Sequence, residues 1–279
     1  MDTPRLRTVD AFTDRPFSGN PAGVVLLERP RSADWMAALA AELGYSATAF
    51  VIPDELPGAD YRLRWFSPAV ELDMCGHATL AAAHCLFGDG VDLPVRFATR
   101  SGVLTVSAMG DGALRMDFPA CPPSVVPAPD GLAEALGDAR PLWVGRGATD
   151  DLLVALADAG TVRQLRPDLA AVARLGGRSL LVTAAADGPD HDFVSRVFAP
   201  RIGIPEDPVT GSAHTVLGPY WAAKLGRDEL TGRQLSARGG VIGIRVAGDR
   251  VLLTGRAVTV LQGHLTAAAA PVDLAEQVG

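Results

Sequence analysis

A chain of 279 residues with 48% hydrophobic and 20% charged residues has enough apolar material for one large domain or two ordinary ones. Its formal net charge of −7, with no Lys/Arg cluster, excludes a phosphate-backbone binder, so nucleic acid is not an expected partner. No apolar run reaches the ~18 residues that span a bilayer, and the first dozen residues lack the apolar core of a secretory signal, so a cytoplasmic protein without membrane contact is expected.

In chain order, Val24–Leu27 has β-type composition, and Ala33–Gly44 reads as a peripheral helix closed by a left-handed glycine cap. Tyr61–Phe66 reads as a strand, and Gly76–Phe87, small and apolar nearly all round, as a buried helix. Val103–Ser107 and the alternating Leu114–Phe118 follow as strands. A proline-rich stretch at 121–129 reads as an extended connector. Beyond it come a peripheral helix over Asp168–Leu175 and a second buried helix over Gly211–Leu225. Cys75, Cys85 and Cys121 cannot all pair and show no CxxC spacing, which fits free thiols in a reducing compartment.

The chain repeats itself. Arg64-Trp65-Phe66-Ser67-Pro68 returns as Arg196-Val197-Phe198-Ala199-Pro200 at an offset of 132, and Gly76-His77-Ala78-Thr79 as Gly211-Ser212-Ala213-His214 at 135. Ser101-Gly102-Val103-Leu104 is then echoed by Gly239-Gly240-Val241-Ile242 at 138. Three collinear echoes with slowly growing offsets are what a duplication with small loop insertions leaves. They predict an N-terminal lobe over 1–120, a linker over 121–129 and a C-terminal lobe over 130–279, with the last strand free to pack back on the first lobe. Each lobe should curl a mixed sheet around its buried helix.

Both buried helices are preceded by polar, titratable residues: Asp73-Met74-Cys75 in one half, Glu206-Asp207-Pro208 in the other. A helix start offers unpaired N–H groups and partial positive charge, and Gly76 and Gly211 allow close approach of a ligand. Two such starts facing each other across a pseudo-twofold axis would bracket one anionic metabolite between the lobes. An acid or base on each side of the bound carbon suits proton removal and return beside a carboxylate. Asp207 is the candidate in the second half, although aspartate also caps helices. Cys75 is taken as standing at the corresponding place in the first, as a thiolate or as a buried apolar residue. His77 could orient a ligand or relay protons. Zinc fails on spacing, because His84 and Cys85 follow Cys75 and His77 two turns along a buried helix. Gly145-Arg146-Gly147-Ala148 lacks the rest of a dinucleotide loop, and with no Gly-x-Ser-x-Gly elbow Ser212 reads as a binding hydroxyl or a cap.

Asp10-Ala11-Phe12 through Ser18-Gly19-Asn20-Pro21-Ala22-Gly23, Arg64-Trp65-Phe66-Ser67-Pro68, Cys75-Gly76-His77-Ala78-Thr79-Leu80 and Glu206-Asp207-Pro208-Val209-Thr210-Gly211-Ser212-Ala213 together resemble the PhzF-like family of phenazine-biosynthesis isomerases. The resemblance runs over nearly the whole chain. It implies an α+β, diaminopimelate-epimerase-like fold of two pseudo-symmetric lobes, a homodimer, and chemistry without cofactor or metal on a small-molecule carboxylate. PhzF itself isomerises trans-2,3-dihydro-3-hydroxyanthranilate by moving a proton. By motif, Asp207 would position or shuttle protons, Asn20, Cys75, His77 and Ser212 would line the site, and Gly76 and Gly211 would present backbone N–H groups. One position departs. Where the family reads Ser-Glu-Thr-x-Phe-Val, with that glutamate as principal acid/base, this chain reads Ser46-Ala47-Thr48-Ala49-Phe50-Val51. Losing a general acid or base typically costs ~100- to 10,000-fold in rate. Ala47 therefore implies an impaired isomerase, whether by engineering or by natural loss. The alternatives are a two-base epimerase using Cys75 and Asp207, and a catalytically silent metabolite-binding protein.

Overall fold

The computed structural model describes residues 3–53 and 57–269. The first half runs β1 (Arg5–Ala11), β2 (Asn20–Leu26), α1 (Ala33–Leu43), β3 (Thr48–Pro53), β4 (Tyr61–Phe66), β5 (Glu71–Leu72), α2 (Gly76–Gly88), β6 (Val95–Thr99), β7 (Gly102–Ala108) and β8 (Leu114–Pro119). The second runs β9 (Ser124–Val125), α3 (Leu132–Leu136), β10 (Trp143–Arg146), β11 (Asp151–Ala155), α4 (Ala159–Gln164), α5 (Leu169–Arg174), β12 (Ser179–Ala185), β13 (Phe193–Ala199), β14 (Ile204–Asp207), α6 (Gly211–Leu225), β15 (Glu229–Gln234), β16 (Gly240–Ala247), β17 (Arg250–Gly255) and β18 (Ala257–His264).

The two halves are wired alike. In the first, β1/β2 is antiparallel, β2/β3 parallel, β3/β4 antiparallel, β4/β6 parallel, and β6/β7 and β7/β8 antiparallel. The second repeats that order as β10/β11, β11/β12, β12/β13, β13/β15, β15/β16 and β16/β17. The fold is α+β, with two pseudo-symmetric lobes that each curl a mixed sheet around a central helix. The halves then exchange edges: β17 pairs with β8, and β18 leaves the second half to pair antiparallel with β1. In the matching place β9, which follows β8 as β18 follows β17, pairs antiparallel with β10. The proline-rich stretch thus lies along the second sheet, its ends held by Cys121 N–H to the Thr215 carbonyl and Val126 N–H to that of Val144.

The helices sort by their apolar pattern. α2 is buried at every residue from Gly76 to Ala83, and α6 at every residue from Gly211 to Gly218, so both lie inside their sheets. Their side chains join β1–β4, β6–β8 and β15–β17 in the main core. The amphipathic α1 covers the outer face of the first sheet over Val25, Phe50 and Phe66, while α3, α4 and α5 cover that of the second. Ser32 caps α1 by accepting from Trp35 N–H, and Gly44 closes it at φ 69°. α5 also closes on a left-handed glycine: Leu175 stays right-handed, Gly176 follows at φ 76°, and Gly177, at 75°, turns the chain into β12. Among the described residues no helix is long and apolar enough to cross a membrane.

Candidate functional site

The N-termini of α2 and α6 meet at the centre of the molecule. A Cβ on either Gly76 or Gly211 would lie 3.3 Å from the Cα of the other, a tight contact that two glycines relieve. Cys75 and Thr210 occupy the N-cap positions and neither side chain caps its helix, which leaves first-turn N–H groups of both helices for another acceptor.

Around this junction a hydrogen-bonded chain crosses between the lobes. Asn20, fully buried at the start of β2, donates through Nδ2 to Asp207 Oδ1 (2.8 Å) and to the Val209 carbonyl (2.8 Å). Thr210 Oγ1 donates to Asp207 Oδ2 at 2.5 Å, and Gln234 Nε2 donates to the Asp207 carbonyl at 2.6 Å. On the first-lobe side, Ser46 Oγ donates to Asn20 Oδ1 (3.3 Å) and lies 3.3 Å from His77 Nε2, while Cys75 Sγ lies 3.4 Å from His77 Nδ1. One assignment satisfies every member: Cys75 S–H to His77 Nδ1, His77 Nε2–H to Ser46, Ser46 O–H to Asn20, and the Asn20 amide to Asp207. Burial supports the same protonation states. It pushes the Cys75 thiol up to about 12 and His77 below the ordinary imidazole value, the latter opposed by the charge of Asp207.

The second lobe answers with a cation. Arg178 pairs through Nε and Nη2 with Asp151, whose side chain is fully buried, and through Nη1 it donates to Ser212 Oγ at 3.1 Å. Thr149 and Ser179 hydroxyls also donate to Asp151, at 2.6 and 2.5 Å. His214, one turn into α6, donates from Nδ1 to the Thr210 carbonyl (2.8 Å), and its buried Nε2 has no partner among the described residues. Burial holds this ring neutral, its pKa lowered to about 4.

The structure therefore gathers Asn20, Cys75, Gly76, His77, Asp207, Gly211 and Ser212 at one junction. Ala47 lies just before β3, wholly buried, next to Ser46 of the chain. One correspondence drawn from sequence is corrected. The matching of Trp65 with Leu72 and of Val197 with Asp207 across the equivalent strand pairs sets Leu72 opposite Asp207, whereas Cys75 shares the N-cap position of Thr210. Both segments were polar lead-ins to a helix, which masked the three-residue difference. Sequence reading missed Ser46, Thr210, Gln234, Asp151 and Arg178. The signal for Arg178 was the duplication itself: Gly177-Arg178-Ser179 stands to β12 as Ser46-Ala47-Thr48 stands to β3. His84 and Cys85 lie away from the junction, His84 on Thr259 and the Cys85 carbonyl on Arg7. Among the described residues no group of three or more His, Cys, Asp or Glu is placed to hold a metal ion.

The family described as phenazine biosynthesis-like protein matches residues 9–263. A Pseudomonas aeruginosa protein named as an uncharacterized isomerase is 48% identical over 259 residues, covering 92% of this chain and 96% of that protein. A crystal structure of a PhzF-family phenazine biosynthesis protein from Enterococcus faecalis superposes with a TM-score of 0.89 at 38% identity, covering 95% of this chain and all of that one. A probable proline racemase from Agrobacterium radiobacter K84, at 13% identity over 98% of this chain and 97% of that one, shares the fold alone, with a TM-score of 0.62.

Proposed function

The chain belongs to the phenazine biosynthesis-like family, and from that premise we propose that its site binds a small carboxylate between the two helix starts and is built for moving a proton beside that carboxylate. The observation that carries this reading is the chain from Asp207 through Asn20 and Ser46 to His77 and Cys75, laid against the junction of Gly76 and Gly211. The uncapped first turns offer N–H groups to the carboxylate, Ser212 and His77 flank it, and Asp207, the carboxylate in that hydrogen-bonded series, takes or returns a proton. Ala47 brings a methyl group where the family has its principal acid/base, so proton transfer by this sequence is slow.

The test is proton exchange in D2O. Trans-2,3-dihydro-3-hydroxyanthranilate and a panel of 2-amino and 2-hydroxy carboxylates are incubated with the protein and with Ala47→Glu, and deuterium incorporation is followed by NMR. The expected result is incorporation at least ~100-fold faster with Ala47→Glu. No incorporation with either protein, for any carboxylate that binds, overturns the reading. A silent metabolite-binding protein is the second reading, favoured by the intact binding groups around Ala47; turnover of any ligand by the unsubstituted protein removes it. The two-base reading finds little support, since a thiol pushed up to about 12 is no base at neutral pH and Cys75 is the counterpart of Thr210 rather than of Asp207.

A further inference from the structure

The pseudo-twofold axis pairs residues of the two lobes, and the mates at the position of Ala47 differ in charge. In the parallel pair β2/β3 Gly23 faces Thr48, and in the equivalent pair β11/β12 Asp151 faces Ser179. Ala47 and Arg178, each one residue before its strand, are therefore mates. The neighbours agree: His77 and Ser212 are mates one residue into α2 and α6, and Ser46 lies 3.3 Å from His77 while Arg178 lies 3.1 Å from Ser212. The first lobe presents a methyl group at this position and the second a guanidinium.

That guanidinium is held and incompletely used. A guanidinium carries five N–H donors. Two go to Asp151 and one to Ser212, so two remain without a protein acceptor among the described residues. Asp151 is locked in turn by the hydroxyls of Thr149 and Ser179 and by complete burial, which fixes the plane of the arginine. The Arg178 side chain keeps 31% exposure, so it is not sealed in the core. One N–H is left on each of Nη1 and Nη2, and such a planar cation suits a carboxylate. The hydrogen bond of Arg178 to Ser212, in the first turn of α6, places it beside that helix start.

We propose that Arg178, anchored by Asp151 and Ser212 at the position paired with Ala47, receives a second carboxylate of the ligand, so that the site takes dicarboxylates in preference to monocarboxylates. This rests on the reading that the helix starts hold the first carboxylate.

Glutarate and valerate, with the same number of carbons and two or one carboxylates, are titrated into 15N-labelled protein and followed by backbone amide shifts. Glutarate is expected to bind at least ~10-fold tighter than valerate, with shifts at Gly211, Ser212 and Arg178. In Arg178→Gln the ratio of the two affinities should fall to about one, whatever happens to each; Arg178→Lys should keep part of the preference. Should Arg178→Gln unfold by leaving Asp151 unpaired, Arg178→Gln with Asp151→Asn serves in its place. Equal binding of the two ligands to the unsubstituted protein, a preference that survives loss of Arg178, or no shift with either ligand overturns the anchor. Deuterium exchange by Ala47→Glu is scored separately, so the anchor can fail while the proposed function stands.

Discussion

Cys75 shows how burial decides the chemistry of a single residue. An N-cap cysteine at an uncapped helix start has the field that usually favours a thiolate, yet the side chain is almost wholly buried and its S–H points at His77. Burial prevails and holds the thiol up at about 12; Cys85, also buried, is pushed up to about 11, with Arg7 opposing. At pH 8 the thiolate fraction of Cys75 is then on the order of 10⁻⁴. Iodoacetamide on the native protein at pH 8 should label the partly exposed Cys121 and spare Cys75 and Cys85, as read by peptide mapping. Raising the pH to 9.5 should still leave Cys75 mostly unlabelled, because the protonated form dominates until the pH nears its raised pKa. Labelling of Cys75 as fast as Cys121 at pH 8 would contradict the hydrogen-bonded chain drawn above.

At the scale of elements, the approach of α2 to α6 rests on two hydrogen atoms. A Cβ at Gly76 or Gly211 would press on backbone, and at Gly211 on the Phe12 ring as well, 3.4 Å away. Gly→Ala within a helix ordinarily stabilises by ~1 kcal/mol, but overpacking against backbone costs ~1–3 kcal/mol. Gly76→Ala and Gly211→Ala should each therefore lower stability by up to about 2 kcal/mol in urea titration and weaken ligand binding, with the double variant worse than the sum because both methyl groups enter one gap. Stabilisation by either would mean that the helix starts part easily. These two helices were legible in the sequence because each is apolar on all sides and opens on a repeated Gly-x-Ala. β4, β7 and β8 were legible from alternation and β-type composition. The second half was harder to read: β10–β12 are short apolar runs without period, α3 and α4 span only five and six residues, and β9 hides among prolines. Of the site, the motif residues were legible, while Arg178 was not, since an isolated arginine before a strand carries no local signature and gains meaning only from its mate.

At the scale of the molecule, the question is whether two lobes built by duplication unfold as one. The edges they exchange, β8 with β17 and β1 with β18, make the sheet continuous from one half to the other. A buried charge seals the same boundary. Asp10 on β1, with its side chain only 3% exposed, accepts from Arg238 (2.7 Å) and from Phe17 N–H (2.7 Å). Arg238 also donates to the carbonyls of Ser18 and Gly19, and Gly19 N–H donates to the Gly239 carbonyl at 2.8 Å. The residue so fixed is followed directly by Asn20, the group that holds Asp207. Breaking a buried pair costs ~3–5 kcal/mol, and the guanidinium is 31% exposed, so the cost here should be lower. Arg238→Met is expected to lose about 2–3 kcal/mol, and Asp10→Asn combined with it should recover part of the loss, because the stranded carboxylate is the larger penalty. Trp35 and Trp65 report on the first half and Trp143 and Trp221 on the second, so variants retaining one set resolve the lobes by fluorescence. Coincident urea transitions are expected from both sets, before and after Arg238→Met, since strands of each lobe complete the sheet of the other. If the second-lobe tryptophans report a transition separate from Trp35 and Trp65, the exchanged edges do not couple the halves, and Asn20 would then lose its hold on Asp207 before either lobe unfolds.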